Sequence, residues 1–172
     1  MTLRIRPARE EDVRAIAELH VRSWQLGHQG LFPKFVVDSV SVEDRKASWE
    51  HRLRGASSDE TVLVAHRDGE VLGFASAGPT HDTPTEAEVA EIYELFVHPE
   101  TIGTGVGGAL LRGTLGKLRD GGFRAVMLWV VEGNDRARRF YEGQGFRLDG
   151  STKTARMSGA EAIEVRYQMS LQ

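Results

Sequence analysis

The chain contains no cysteine, which excludes disulfides, a Cys-based zinc site and a thiol nucleophile together. Long apolar runs are also missing: the longest, Ala125 to Val131, falls well short of the ~20 residues that span a bilayer. Histidines stand singly at His20, His28, His51, His66, His81 and His98. With no His-Glu-x-x-His and no close pair at ligand spacing, no metal site is expected. Nor is positive charge in excess. With 22 Lys+Arg against 25 Asp+Glu and a formal net charge of -3, the chain lacks the basic surplus of a protein whose main partner is nucleic acid. The residues from Met1 to Asp12 alternate charged and apolar side chains and lack the apolar stretch of a signal peptide. The expectation is a cytoplasmic protein without a membrane or nucleic-acid partner.

What is present reads as one soluble domain spanning residues 1–172, with 40% hydrophobic and 27% charged residues. Leu3 and Ile5 alternate with Arg4 and Arg6 as in a short strand. Helical spacing of Val13, Ile16, Ala17 and Trp24 behind an acidic start predicts a helix from about Glu11 to Leu26. Gly27 to Pro33 reads as a loop carrying bulky apolar residues. A second helix is expected from Ser41, its N-cap, to about Gly55. Thr61–Arg67 and Glu70–Ala77 flank Asp68-Gly69, a hairpin signal. A loop is expected from Gly78 to Glu88 and a strand from Val89 to Val97. Leu110, Leu111, Leu115 and Leu118 mark a helix ending at Gly121-Gly122. Arg124 to Val131 reads as a buried central strand, and Asn134-Asp135 starts a short helix to about Glu142. Phe146–Leu148 and Ile163–Leu171 close the chain as an antiparallel pair.

Between the strand ending at Val97 and the next helix lies Gly103-Thr-Gly-Val-Gly-Gly108. Such a turn exposes backbone N–H groups and a positive helix end, which bind phosphate without a charged side chain. A nucleoside-triphosphate loop would need Gly-Lys-Ser/Thr, and Gly108 is followed by Ala109-Leu110. Gly103, Gly105 and Gly108 meet the dinucleotide pattern, with Glu132 near the distance of a ribose partner. That match fits poorly, because His98 to Ile102 separates the turn from its strand.

The order Glu91-Ile-Tyr-Glu-Leu-Phe-Val97, His98-Pro99, Gly103-x-Gly105-x-Gly107, then Asn134-x-x-Ala137-x-x-Phe140-Tyr141-x-x-x-Gly145-Phe146 resembles the GCN5-related N-acetyltransferase (GNAT) family from roughly Val89 to Phe146. Trp24 and Gly30-Leu-Phe-Pro33 resemble, less specifically, the arm that covers substrate in many members. The sequence departs from the family at Ile102, where Gln or Arg is usual.

The resemblance implies a mixed α/β fold: a mostly antiparallel sheet of about seven strands with a splayed parallel central pair, flanked by about four helices. It also implies direct transfer of an acetyl group from acetyl-CoA, as acyl-donor cosubstrate, to an amine of a small molecule or protein in a ternary complex. Leu95, Phe96 and Val97 would pair with the pantetheine arm. Gly103, Thr104, Gly105, Val106, Gly107 and Gly108 would hold the pyrophosphate, and Asn134 and Ala137 would lie beside the arm; for Asn134 a plain helix cap stands as the alternative. Tyr141 would protonate the leaving thiolate, or else simply pack beside Phe140. Glu91 is the first candidate for general base, with Glu94 placed on the opposite side by strand alternation. Arg112, Arg136, Arg138 and Arg139 are candidates for the 3′-phosphate or a solvated face. Trp24, Leu31, Phe32 and His81 are candidates for the acceptor pocket or for packing. A homodimer is compatible with an exposed tail strand. A module that binds acyl-CoA without turnover is the competing function, favoured by Ile102.

Overall fold

The computed structural model describes residues 1–82 and 88–172. Seven strands, β1 (Arg4–Pro7), β2 (Thr61–Arg67), β3 (Glu70–Pro79), β4 (Val89–Val97), β5 (Ala125–Val131), β6 (Arg147–Met157) and β7 (Ala160–Ser170), form one sheet in the order β1-β2-β3-β4-β5-β7-β6. Neighbours are antiparallel except β4 and β5. The helices are α1 (Val13–His28), α2 (Lys34–Val37), α3 (Val42–Gly55), α4 (Val106–Asp120) and α5 (Asp135–Gly143). No helix among the described residues is long and apolar enough to cross a membrane.

Side-chain alternation divides the core between the two sheet faces. Val64 and Phe74 pack with Val13, Ile16 and Leu19 of α1 and Trp49 of α3. Their neighbours Leu63 and Ala75 point the other way, onto Val106 and Leu110 of α4. A third cluster joins Leu111 and Leu118 of α4 to Val126, Leu128 and Val130 of β5 and Tyr141 of α5.

Local chemistry sets the ends. Ser41 accepts the Asp44 N–H at 3.1 Å and starts α3, and Asn134 Oδ1 accepts the Ala137 N–H at 3.2 Å and starts α5. Several expectations need correction. The first helix opens with a 3-10 turn over Glu10–Asp12 and runs on to His28, so Gly27 is helical and the loop is shorter than expected. The one-turn helix α2 follows Pro33, with too few residues to show a period. Strand β3 continues through Gly78 and Pro79, and the expected loop to Glu88 falls in part on 83–87, outside the described residues. Strand β6 extends far past Leu148, because an edge strand paired only with β7 tolerates the run from Asp149 to Thr154, which carries no apolar side chain.

Candidate active site

The parallel pairing of β4 with β5 covers only Val89, Ala90 and Glu91 against Ala125, Val126 and Met127. Beyond it, among the described residues, the strands part. Leu95–Val97 remain paired with β3, opposite Ala75, Phe74 and Gly73, while β5 stays paired with β7. His98 donates its N–H to Leu72 O at 2.7 Å. By the alternation of an antiparallel ladder, the N–H and C=O groups of Leu95 and Val97 therefore face the gap. Ser23 of α1 donates its hydroxyl to Val97 O at 2.8 Å.

A cleft of about 430 Å³ runs along this gap. It gathers Leu95, Phe96 and Val97 from β4, Gly103, Gly105, Gly107 and Gly108 from the glycine turn, and Asn134, Ala137 and Tyr141 from α5 and its cap. Gly103 and Gly105 hold φ of 81° and 91°, a conformation natural to glycine that swings the chain into α4. The first N–H groups of α4, on Val106, Gly107 and Gly108, have no partner within the helix, and Gly107 and Gly108 line the cleft, an arrangement able to hold an anion by backbone alone. Two side chains of the expected set lie elsewhere. Val106 is buried under the sheet, and Thr104 Oγ1 is tied back to Thr101 O at 2.6 Å, so these residues have only backbone to offer. Ile102 forms an apolar, partly exposed lip of the cleft.

Of the four arginines singled out, Arg112 and Arg136 reach the cleft. Arg138 is held by Tyr167 Oη (3.1 Å) and Glu132 O (2.9 Å), and Arg139 is exposed to solvent. Helix α1 contributes Ser23, Leu26, Gly27 and His28 to the cleft, none of which the motif reading could reach, because they come from the distant first helix.

A second cavity, about 320 Å³, opens on the other side of the gap. The two share Tyr141, Asn134, Ala137, Leu95, Phe96 and His28. Burial pushes the Tyr141 phenol well above its ordinary value, so it keeps its proton. Trp24 lines the second cavity; Phe32 is buried beside it, with Leu31 packed against the same cluster. His28 places Nδ1 2.8 Å from Trp24 O. A carbonyl only accepts, so Nδ1 carries the proton and Nε2 is left with its lone pair.

Glu94 and Glu164 are the carboxylates of this cavity. Glu94 Oε2 accepts from Arg52 Nη1 and Ser76 Oγ, both at 2.8 Å. Burial raises the Glu164 carboxyl, and Lys153, 3.8 Å away, pulls it back. Glu91 sits where the strands are still paired; its Oε2 accepts the His81 N–H at 3.0 Å. His81 is stacked on Tyr93. The expected opposition of Glu91 and Glu94 does not hold. Ser76 pairs with Glu94 and Ala77 with Ile92, leaving Tyr93 as an extra residue that resets the alternation. Both carboxylates therefore line one adjoining pocket with Tyr93 and Arg52.

A family profile described as the acetyltransferase (GNAT) family matches residues 35–146. The N-acetyltransferase YuaI of Bacillus subtilis, itself uncharacterized, is 33% identical over 132 residues, 76% of this chain and 72% of that protein. The PaiA N-acetyltransferase of Thermoplasma acidophilum, solved with coenzyme A, superposes with a TM-score of 0.77 at 20% identity, over 99% of each chain. YncA of Salmonella typhimurium, solved with acetyl-CoA, gives 0.75 at 23% identity, over 100% of this chain and 95% of that one.

Proposed function

The chain belongs to the acetyltransferase (GNAT) family, and from that premise we propose that it moves an acetyl group from acetyl-CoA directly to an amine held in the second cavity. The carrying observation is that two cavities meet at one buried phenol, Tyr141, where β4 and β5 part. Acetyl-CoA supplies the thioester carbonyl that the amine attacks. The residues present fit it: unpaired N–H groups at the start of α4 and Arg112 suit phosphates, and the gap-facing backbone of Leu95 and Val97, whose Val97 O also accepts from Ser23, suits an extended amide-bearing arm.

In this reading Glu94 takes the proton of the incoming ammonium and passes it toward Glu91 and solvent through the adjoining pocket they share. The Val97 N–H, aimed into the gap, meets the charge that develops on the carbonyl oxygen. Tyr141 hands its proton to the departing thiolate and regains one from the attacking nitrogen, which must lose a second proton on becoming an amide. Asn134 caps α5, and so it holds the turn that brings Ala137 and Tyr141 to the gap.

Ile102 favours one second reading, a module that keeps the cleft without turnover, since it removes a polar side chain from the cleft lip. Melting temperature with acetyl-CoA, CoA and NAD, followed by turnover of acetyl-CoA against amines, separates the possibilities. Stabilisation by CoA with transfer lost in Tyr141→Phe supports the enzyme. Stabilisation without transfer supports the module, and a shift with NAD alone overturns both.

A further inference from the structure

Several cations touch residues of the acceptor cavity, Arg52 at Glu94 and Lys153 and Arg166 over Trp129, and these are matched. Arg52 is paired with Glu94, Lys153 with Glu164, and Arg166 with Asp149 and Asp82. Arg45 differs. It lines the cavity beside His20, Trp24 and Glu94, and among the described residues its guanidinium has no ion-pair partner; its Nε is shut away from solvent without a hydrogen bond, which leaves the terminal nitrogens to meet a ligand.

Two further observations make the placement costly for the fold alone. A buried guanidinium nitrogen without a partner forfeits its hydration for nothing in return. Arg45 also stands in the first turn of α3, its N–H bonded to Ser41 O, where the helix end is already positive and an acidic residue is favoured. Its neighbour His20 cannot supply the missing acceptor. Trp49 Nε1 donates to His20 Nδ1 at 3.2 Å, so the free nitrogen of that ring, Nε2, carries hydrogen. Arg45 and His20 thus offer the cavity donors only, while Ile92 and Leu128 are among its apolar lining.

We propose that the acceptor carries a carboxylate as well as its amine, an amino acid with an apolar side chain, and that Arg45 binds that carboxylate while the amine lies at the junction with Tyr141. This rests on the acyl-transfer reading of the cavity given above. A planar guanidinium matches a carboxylate with two parallel hydrogen bonds, which a lone ammonium cannot reproduce.

The test is calorimetric titration of the CoA-saturated protein with leucine, methionine and phenylalanine, each against its own amide, which differs only in lacking the carboxylate. In the unmutated protein at least one acid is expected to bind about tenfold or more tightly than its amide, a difference of about 1.4 kcal/mol. Arg45→Met should abolish that preference without changing CoA affinity, and Arg45→Lys should restore part of it. Equal binding of acid and amide, no binding of any of the six, or a preference that survives in Arg45→Met overturns the proposal. Failure of CoA itself to bind would instead strike the acyl-transfer reading, so the two failures are distinguishable.

Discussion

Trp49 donates its indole N–H to Nδ1 of His20 across 3.2 Å and thereby fixes the ring proton on Nε2, which faces Glu94 Oε1 at 4.0 Å. Burial holds this imidazole neutral, with its pKa down from 6.5 to about 4. As pH falls below 6.5, the unfolded chain binds a proton that the folded chain refuses. The stability associated with neutral His20 is therefore complete above pH 6.5 and is lost progressively as pH falls toward about 4, on the order of 3 kcal/mol in all. In His20→Asn, the amide oxygen replaces Nδ1 as acceptor and nothing titrates. Urea unfolding at about pH 7 and about pH 4.5 should show a smaller acid loss in the variant than in the parent; equal losses would place the acid sensitivity elsewhere.

Tyr141→Phe keeps the ring within its cluster of Leu111, Leu128 and Phe146 and removes only the proton donor. Turnover is expected to drop by about 10²-fold or more, with the acetyl-CoA KM and the melting temperature little changed. A fall in stability with full turnover would make the residue a packing element alone.

Gly105 holds a φ of 91° with open space where a Cβ would stand, so Gly105→Ala meets strain and no clash. The strain, about 1–2 kcal/mol, should weaken acetyl-CoA binding by about tenfold. Gly116 of α4 also has open space around it and lacks the positive φ. Gly116→Ala should raise stability by about 0.5–1 kcal/mol and leave the affinity alone.

Glu94→Gln should reduce turnover by about 10²-fold and Glu91→Gln by less, since Glu94 shares a cavity with Tyr141 and Glu91 reaches it only through the adjoining pocket. A flat response in both, with loss in His28→Gln, would transfer the proton to the free Nε2 of His28.

The glycine turn and the two helix caps were legible because each is set within a few residues of chain. The strand Val89–Val97 has the expected ends, closed by His98-Pro99, and the central strand differs only in starting at Ala125. The bulge at Tyr93 arises from pairing with β3, a partner distant in sequence, so simple alternation misplaced Glu94. The same distance hid Ser23, His28 and Arg45. Each is an ordinary helical residue until α1 and α3 are laid against the parted strands. The length of β6 was missed for a different reason: Asp149 to Thr154 carries no apolar side chain, and only its place at the sheet margin makes that compatible with a strand. The Ser158-Gly159 turn that joins it to β7, with φ of 50° and 82°, was available in the sequence as a hairpin signal.

A sheet ordinarily has two margins, and the parting of β4 from β5 gives this one two more in its interior. The outer strand β6 is open to any chain with room to approach. The inner margins are flanked by α1 and by the turn before α5. On the acyl-transfer reading proposed above, the slot would sort by shape before chemistry: a thioester whose arm has amides to pair with Leu95 and Val97 would be held there, and one without them would not.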